Sequence, residues 1–237
     1  MLKVAALQAE YSRQTIDEAI AVVREAVGQC EQEAVDILCC PEGFLGGLAD
    51  YAEEPQAIAI DTANGDLESI LSPLASGSVA VILGFTEKGE RLYNSAAVYS
   101  GGQVMGIYRK MRPAIRHSIY TPGASLPVFE IKGLRFGIQI CNDSNYPEQT
   151  AELVAQDARV IFIPSSNALP HSKADVVALT REVDGALAVD NSVYVVRSDV
   201  AGRVGESTAY GTSKIVDPAG KIVEVGAFEV GMVESKV

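Results

Sequence analysis

Basic side chains are scarce in this sequence, and their scarcity limits its partners. The 237 residues include 19 Lys and Arg against 31 Asp and Glu, which gives a formal net charge of -12. Such a charge repels polyphosphate and leaves no basic stripe for a nucleic-acid backbone. We therefore expect no nucleic-acid partner.

A long apolar segment is also lacking at the start of the sequence. Residues 1–7 are mostly apolar, but the polar residues Gln8 and Glu10 follow at once. This stretch is too short for the apolar part of a secretion signal and far too short for a membrane span. The sequence thus predicts a cytoplasmic protein with no membrane partner.

Cysteine and histidine are equally sparse. The only cysteines, no two of which have a Cys-x-x-Cys spacing, are Cys30, Cys39, Cys40 and Cys141. Without an export signal, four cysteines in this pattern argue against a disulfide framework. With only His117 and His171 to add imidazole ligands, the sequence lacks the dense cluster that a zinc site needs. We predict reduced thiols and no metal site.

The apolar pattern predicts a β-α-β unit that occurs twice. The first unit spans residues 4–40 with a helix at 15–29, and the second spans 136–167 with a helix at about 147–156. Strands separated by Gly-rich turns lie between the units and again near the end of the sequence. Since no long linker or low-complexity run interrupts this pattern, we expect one domain over residues 1–237, with two α-β layers and mixed sheets.

Cys141 lies where a predicted apolar strand gives way to a polar turn and a helix that begins near Pro147. Backbone N–H groups and a helix N-terminus at this point would lower the pKa of the thiol and favour the thiolate. The N–H after Cys141 could also face a developing oxyanion. A small buried cysteine without a chemical role fits the same position.

Two charged residues also stand at predicted strand ends. Glu42 follows the buried strand that stops at Pro41, and ligands bind at strand ends in α/β sheets. A desolvated carboxylate there could transfer protons near neutral pH. Lys110 follows a strand at 103–108 and, if buried, could stabilise an oxyanion. Taken singly, each residue fits an ordinary exposed position better, and only the combination with Cys141 favours a role in chemistry.

Three short motifs occur along the chain in a fixed order. They are Pro41-Glu42-Gly43-Phe44, then Tyr108-Arg109-Lys110, then Cys141-Asn142-Asp143-Ser144-Asn145-Tyr146-Pro147-Glu148. Together they resemble the nitrilase superfamily of carbon–nitrogen hydrolases, in its amidase or carbamoylase-like branch. Further similar segments include the opening strand, the Tyr120-Thr121-Pro122-Gly123 loop and the closing strands, so the resemblance spans almost the whole chain.

The resemblance implies an α/β fold, namely a four-layer α-β-β-α sandwich with two mixed sheets built from a pseudo-repeated β-α-β unit. It implies that Glu42, Lys110 and Cys141 meet in one pocket, with Cys141 as nucleophile and Glu42 as proton-transfer base. Lys110 and the backbone N–H of Asn142 would stabilise the oxyanion. No cofactor is implied, and a homodimer or higher homo-oligomer of stacked sandwiches is expected.

Residues 113–120 depart from the family pattern. Many members have a second glutamate in this stretch, whereas this chain has no carboxylate there, and Arg116 and His117 are nearest by spacing. These two residues either rebuild the pocket for an anionic substrate or belong to an ordinary exposed loop. Other candidate substrate contacts are Asn145, Tyr146 and Ser166, and His171 faces either the pocket or solvent.

A second departure lies at Leu187, where the family often has an arginine, so we expect a structural ion pair to be missing. The substrate also stays open. Asn142-Asp143 is similar to carbamoyl-amino-acid hydrolases, while residues 145–148 are similar to aliphatic amidases. The short stretch after Gly220 favours the amidase or carbamoylase type over a nitrile substrate.

The expected function is therefore hydrolysis of a small amide or N-carbamoyl compound through a thioester-type acyl-enzyme. Three alternatives remain. A papain-like hydrolase would need His117 or His171 to activate the thiol. A catalytically weakened member would serve as a ligand-binding or interaction module. A glutaminase unit would supply ammonia to a partner synthetase.

Overall fold

The structure, a computed structural model, describes residues 1–11, 15–170, 175–204, 206–226 and 228–237. Strand β1 (Lys3–Glu10) leads to helix α1 (Ile16–Gln32) and strand β2 (Ile37–Cys39), which pairs with β1 in parallel. Helix α1 begins after Thr15, whose hydroxyl and backbone N–H exchange hydrogen bonds with Glu18 in a capping box. The first predicted β-α-β unit is confirmed.

The middle of the chain adds antiparallel strands to the same sheet. After short elements β3 (Ile60–Asp61) and α2 (Asp66–Leu71), the chain forms β4 (Ala80–Lys88), β5 (Leu92–Ser100) and β6 (Gln103–Arg109). Strand β4 pairs with β2 in parallel and with β5 in antiparallel register, and β5 pairs with β6. All three predicted strands of this region are present.

The second β-α-β unit follows a short hairpin strand. The elements are β7 (Phe129–Ile131), β8 (Leu134–Ile138), a 3-10 turn (Cys141–Asn145), α3 (Pro147–Ala155) and β9 (Val160–Pro164). Strands β8 and β9 are parallel neighbours. The strand predicted to run to Cys141 ends three residues earlier, because Cys141 itself belongs to the turn.

The remaining elements complete both sheets. They are β10 (Ala168–Pro170), α4 (Val176–Asn191), β11 (Tyr194–Val204), β12 (Ser207–Tyr210), β13 (Lys214–Val216), β14 (Ile222–Glu224) and β15 (Gly231–Lys236). Helix α4 was not predicted from the sequence. Strand β15 returns to pair with β1 in antiparallel register.

Strand β11 belongs to both sheets. Its first half pairs with β9, from Tyr194 to Ser198, while Asp199 to Ala201 pair with the end of β1. One sheet therefore runs β6-β5-β4-β2-β1-β11, and the other runs β11-β9-β8-β7. This single strand joins the two layers.

Alternate side chains of β1 enter two different apolar clusters. Val4 packs in a cluster that also contains Phe136 of the second sheet, whereas Ala5 packs with Val23 of α1. This alternation is what a strand buried on both faces produces. The predicted α-β-β-α sandwich with two mixed sheets is confirmed. In the described part of the chain, no helix is long and apolar enough to cross a membrane.

Candidate active site

Cys141 occupies a strained backbone position at the start of the 3-10 turn. Its φ of 48° lies in the left-handed region that residues other than glycine rarely adopt. Buried Asp143 holds the turn in place, because its carboxylate accepts hydrogen bonds from the backbone N–H of Ile140 (2.9 Å) and Arg112 (2.7 Å) and from the hydroxyl of Tyr108 (2.8 Å). These hydrogen bonds hold the turn, and with it the backbone of Cys141, in one position.

Glu42 is fixed in a tight turn between the two sheets. The backbone N–H of Glu42 donates to the carbonyl of Ser165 (3.2 Å), and its side chain is only 3% exposed. The turn packs directly on Gly84 of β4, where an added Cβ would lie 2.5 Å from the nitrogen of Gly43 and 2.6 Å from the oxygen of Pro41. Only glycine therefore allows this approach.

Lys110 and Glu42 form a buried ion pair, with 2.6 Å between Nζ and Oε1. Oε1 also accepts a hydrogen bond from Nδ2 of Asn94 at 2.8 Å. Burial alone would lower the pKa of Lys110, but the charge of Glu42, with a further contribution from Cys141, raises it above its ordinary value. Lys110 therefore stays cationic, as an oxyanion stabiliser must.

The thiol of Cys141 lies in the same cavity. Its Sγ is 3.7 Å from Oδ1 of Asn167. Burial, helped by the charge of Glu42, raises the pKa of Cys141 to about 12 in spite of the opposing charges of Lys110 and Arg197. The prediction of a lowered thiol pKa is therefore wrong, because desolvation outweighs the nearby positive charges. The resting group is a thiol, and a base must remove its proton.

One cavity of about 250 Å³ joins these residues. Glu42, Lys110 and Cys141 all line it, as the sequence resemblance implied. The predicted residues Asn142, Asn145 and Ser166 also line it. Asn142 follows Cys141 in the first turn of the 3-10 segment, where backbone N–H groups lack helical acceptors.

Three other predicted substrate contacts do not line this cavity. Arg116 and His117 are exposed on the surface, although Pro113, Ala114 and Ile115 of the same loop reach the cavity wall. Tyr146 packs instead beneath the guanidinium of Arg112, 4.6 Å from the ring centre. The structure therefore gives no support to a pocket rebuilt with basic side chains. His171 lies outside the described residues.

Several cavity residues were not predicted. Polar ones are Asp50, Asn94, Ser144, Asn167, Thr180 and Arg197, and apolar ones include Leu48, Tyr51, Val176, Leu179 and Val183. Helix α4 supplies four of them, so missing this helix meant missing one wall. Tyr51, Ile115 and Leu179 are exposed and form an apolar rim at the mouth.

A buried cluster of charged residues, Asp184, Arg197 and Lys214, lies next to the cavity. Arg197 contacts both carboxylate oxygens of Asp184 (2.5 and 2.7 Å), and Lys214 donates to the same carboxylate at 3.1 Å. Arg197 also donates to the hydroxyl of Ser144 at 3.0 Å, which in turn donates to the carbonyl of Cys141 at 2.8 Å. The absence of an ion pair at Leu187 stays a prediction, and the buried ion pair on this helix is made by Asp184.

Within the ranges that the structure describes, no group of three or more His, Cys, Asp or Glu side chains is placed to hold a metal ion. The charges that face the cavity are those of the cations and carboxylates already named.

The sequence is also similar to those of known proteins. The sequence profile described as carbon-nitrogen hydrolase matches residues 3–235. An (R)-stereoselective amidase from a Pseudomonas species is 29% identical over 210 residues, which cover 86% of this chain and 74% of that protein. A glutamine-dependent NAD(+) synthetase from Thermotoga maritima is 27% identical over 210 residues, but the match covers only 36% of its length.

Solved structures agree on the fold. An amidase of the nitrilase superfamily from Nesterenkonia AN1 superposes with a TM-score of 0.83, over 98% of this chain and 89% of that one. The two sequences are 21% identical, so this similarity supports the shared architecture alone. It is the same sandwich that the strand pairing describes.

Proposed function

This chain belongs to the carbon–nitrogen hydrolase family, and we propose that it hydrolyses a small amide or N-carbamoyl compound at Glu42, Lys110 and Cys141. Membership of the family makes it an amidohydrolase acting on carbon–nitrogen bonds other than peptide bonds. One observation carries the proposal: the buried Lys110–Glu42 contact of 2.6 Å lies in the same cavity as the strained nucleophile turn.

The first half of the reaction forms a thioester. Glu42 takes the proton from the thiol of Cys141 as Sγ attacks the carbonyl carbon, since the thiol is protonated at rest. The ammonium group of Lys110 and the backbone N–H of Asn142 stabilise the negative oxygen of the tetrahedral intermediate. Protonated Glu42 then gives its proton to the leaving nitrogen, the carbon–nitrogen bond breaks, and ammonia or an amine departs.

The second half of the reaction is hydrolysis of that thioester. Glu42 accepts a proton from water as the water oxygen attacks the acyl carbon. Collapse of the second tetrahedral intermediate expels the sulfur, which takes the proton back from Glu42. The product is a carboxylic or carbamic acid, and the thiol is restored for the next cycle.

The cavity supports a small substrate with an apolar part. Its volume of about 250 Å³ accommodates only a modest acyl group. The exposed rim residues Tyr51, Ile115 and Leu179 offer apolar surface, whereas Arg116 and His117 lie away from the cavity. We therefore favour an uncharged amide over an anionic substrate.

A second candidate function is the release of ammonia from glutamine for a synthetase. The match to 36% of the NAD(+) synthetase from Thermotoga maritima motivates it, because that share corresponds to one part of a larger protein. Glutamine turnover that rises when a synthetase co-purifies with the chain would favour this candidate over a free-standing amidase.

The test is ammonia release from a panel of small amides, N-carbamoyl amino acids, glutamine and nitriles. Cys141→Ala should lower kcat at least ~1,000-fold on every compound that the wild type hydrolyses, because the covalent step is lost. Cys30→Ala is the matched control, since Cys30 is buried on α1 and does not line the cavity. It should leave release within about twofold of wild type.

Two outcomes would contradict the proposal. Release that survives Cys141→Ala would place the chemistry elsewhere. No release from any compound, with Cys141 also inert to iodoacetamide, would instead favour a ligand-binding or interaction module.

A further inference from the structure

Asn94 forms hydrogen bonds with both charged residues of the site, Glu42 and Lys110. It is on β5, is 4% exposed and lines the cavity. Its backbone carbonyl accepts a hydrogen bond from the backbone N–H of Lys110 at 2.8 Å. Its side chain donates through Nδ2 to Oε1 of Glu42, also at 2.8 Å. One residue thus fixes the positions of both Lys110 and Glu42.

The orientation of the Asn94 amide is set by Glu42. An ionised carboxylate only accepts hydrogen bonds, so the NH2 group of the amide must face it. Oδ1 is consequently directed away from Glu42. Among the described residues this oxygen is buried and has no hydrogen-bond partner. Buried acceptors are nearly always satisfied, so the unpaired oxygen of a residue that lines the cavity calls for a donor, and a bound substrate can supply one.

The hydrogen bonds to Glu42 converge on one of its oxygens. Nζ of Lys110 and Nδ2 of Asn94 both contact Oε1. Within the described ranges, no hydrogen bond reaches Oε2. Oε2 is therefore left for the proton that passes from the thiol to the leaving nitrogen. A nitrogen that receives this proton lies in the same cavity as the unpaired oxygen of Asn94.

We propose that Oδ1 of Asn94 accepts a hydrogen bond from the N–H of the scissile amide of the substrate, while its Nδ2 orients Glu42. This inference rests on the proposed function and assigns a residue that selects substrates. An amide or N-carbamoyl group supplies the required N–H, whereas an ester of the same acyl group does not. Asn94 therefore favours amides over esters, because an ester leaves the buried acceptor unpaired.

Two variants separate the two roles of Asn94. Asn94→Ala removes both the donor to Glu42 and the acceptor for the substrate. Asn94→Asp has nearly the same size and keeps an acceptor oxygen, but it places a second carboxyl group against Glu42. Gln149→Ala is the control, because Gln149 is 3% exposed, also has unpaired amide atoms and does not line the cavity.

The experiment compares a primary amide with the methyl ester of the same acid. In turnover, Asn94→Ala should lower kcat/KM for the amide by roughly 100-fold and should lower the amide-to-ester ratio by about tenfold. Asn94→Asp should lower kcat for both substrates, with the ratio kept near that of wild type. Gln149→Ala should leave the ratio unchanged. An unchanged ratio in Asn94→Ala would overturn the inference, because a purely structural role affects both substrates equally.

A binding arm tests Asn94 independently of turnover. Calorimetry on Cys141→Ala should show tighter binding of the amide than of the ester. Adding Asn94→Ala should lower the ratio of the ester Kd to the amide Kd by about tenfold. If the wild type hydrolyses nothing but the preference is present and lost with Asn94, the proposed function fails and the Asn94 inference stands. If amide and ester bind equally to Cys141→Ala, or neither binds, the inference is overturned.

Discussion

Asp143 shows how one buried residue both holds the Cys141 turn in place and responds to pH. Burial raises its pKa to about 6, although the charge of Lys110 and the hydrogen bond from Tyr108 act in the opposite direction. The group is therefore easier to protonate in the folded chain than in the unfolded chain. Its contribution to stability is present below the ordinary aspartate pKa and is lost as pH rises through 6.

The first prediction is that stability falls between pH 4 and pH 6 because of Asp143. A shift from 3.8 to about 6 corresponds to about 3 kcal/mol of unfolding free energy over this interval. Urea denaturation at several pH values measures it. Asp143→Asn should be less stable overall but should have a flatter profile in this window, since the titrating group is gone. Equal slopes in the two proteins would contradict the raised pKa.

The buried carboxylate of Asp184 titrates outside this interval, because its pKa is lowered. Burial alone would raise the pKa of Asp184, but Arg197 and Lys214 hold it below its usual value. A lowered pKa stabilises the fold above the unfolded value, and this stability is lost only as pH falls through the folded value. The effect of Asp184 therefore belongs to pH values below about 4, outside the Asp143 window.

The sequence indicated the reactive residues better than the residues that support them. Glu42, Lys110 and Cys141 each lie in a short motif with its own chemistry, and the structure brings them together. Asn94 and Arg197 act through contacts between elements distant in the chain, which no local pattern reveals. The adjacent polar residues Asn94 and Ser95 in a mostly apolar strand were a signal that could have drawn attention to Asn94.

At the scale of elements, the packing of β4 against the Glu42 turn depends on one glycine. Any side chain at Gly84 would meet the backbone of Gly43 and Pro41 at 2.5 to 2.6 Å, well inside contact distance. These backbone atoms cannot move aside as the end of a flexible side chain can. The turn that carries Glu42 would therefore have to move.

We predict that Gly84→Ala destabilises the fold by about 1–3 kcal/mol and lowers amidase activity, because overpacking displaces Glu42. Gly28→Ala is the control, since nothing lies within 4 Å of a Cβ at this position of α1. It should leave activity intact and stabilise the chain by about 0.4–1 kcal/mol. Thermal melting and ammonia release measure both effects. Full activity in Gly84→Ala would show that the turn tolerates displacement.

Helix α4 was missed for a physical reason. Its buried positions are Thr180, Asp184, Leu187 and Ala188, which have helical spacing but include two polar residues. The ion cluster and the cavity wall occupy the face that an ordinary helix fills with apolar side chains. Sequence periodicity identifies a helix by its stripe of apolar residues. A helix with polar residues on its buried face lacks a continuous stripe, so periodicity does not detect it.

At the scale of the whole molecule, assembly stays a prediction. Val189 of α4 is a large apolar residue that is about half exposed. The resemblance to the family predicts a homodimer of stacked sandwiches, and a covered α4 would remove this exposure. Sedimentation equilibrium at micromolar concentration should give about twice the chain mass of 25.1 kDa. A mass of one chain at these concentrations would contradict it.

We also propose that the described chain forms one domain. The shared strand β11 supports this, because its two halves complete different sheets. Neither layer keeps all its strand partners if the other unfolds. The two predicted β-α-β units therefore share an order of secondary-structure elements, but we expect them to fold together as one unit.

The position of β11 late in the chain has a consequence for synthesis. Until Tyr194–Val204 leaves the ribosome, β1 and β9 each lack a neighbour that they have in the finished fold. Unpaired apolar strand edges are templates for aggregation. The nascent protein thus exposes an unpaired edge on β1 from early in translation and a second one once β9 (Val160–Pro164) has been made, and a chaperone that shields them would raise its yield.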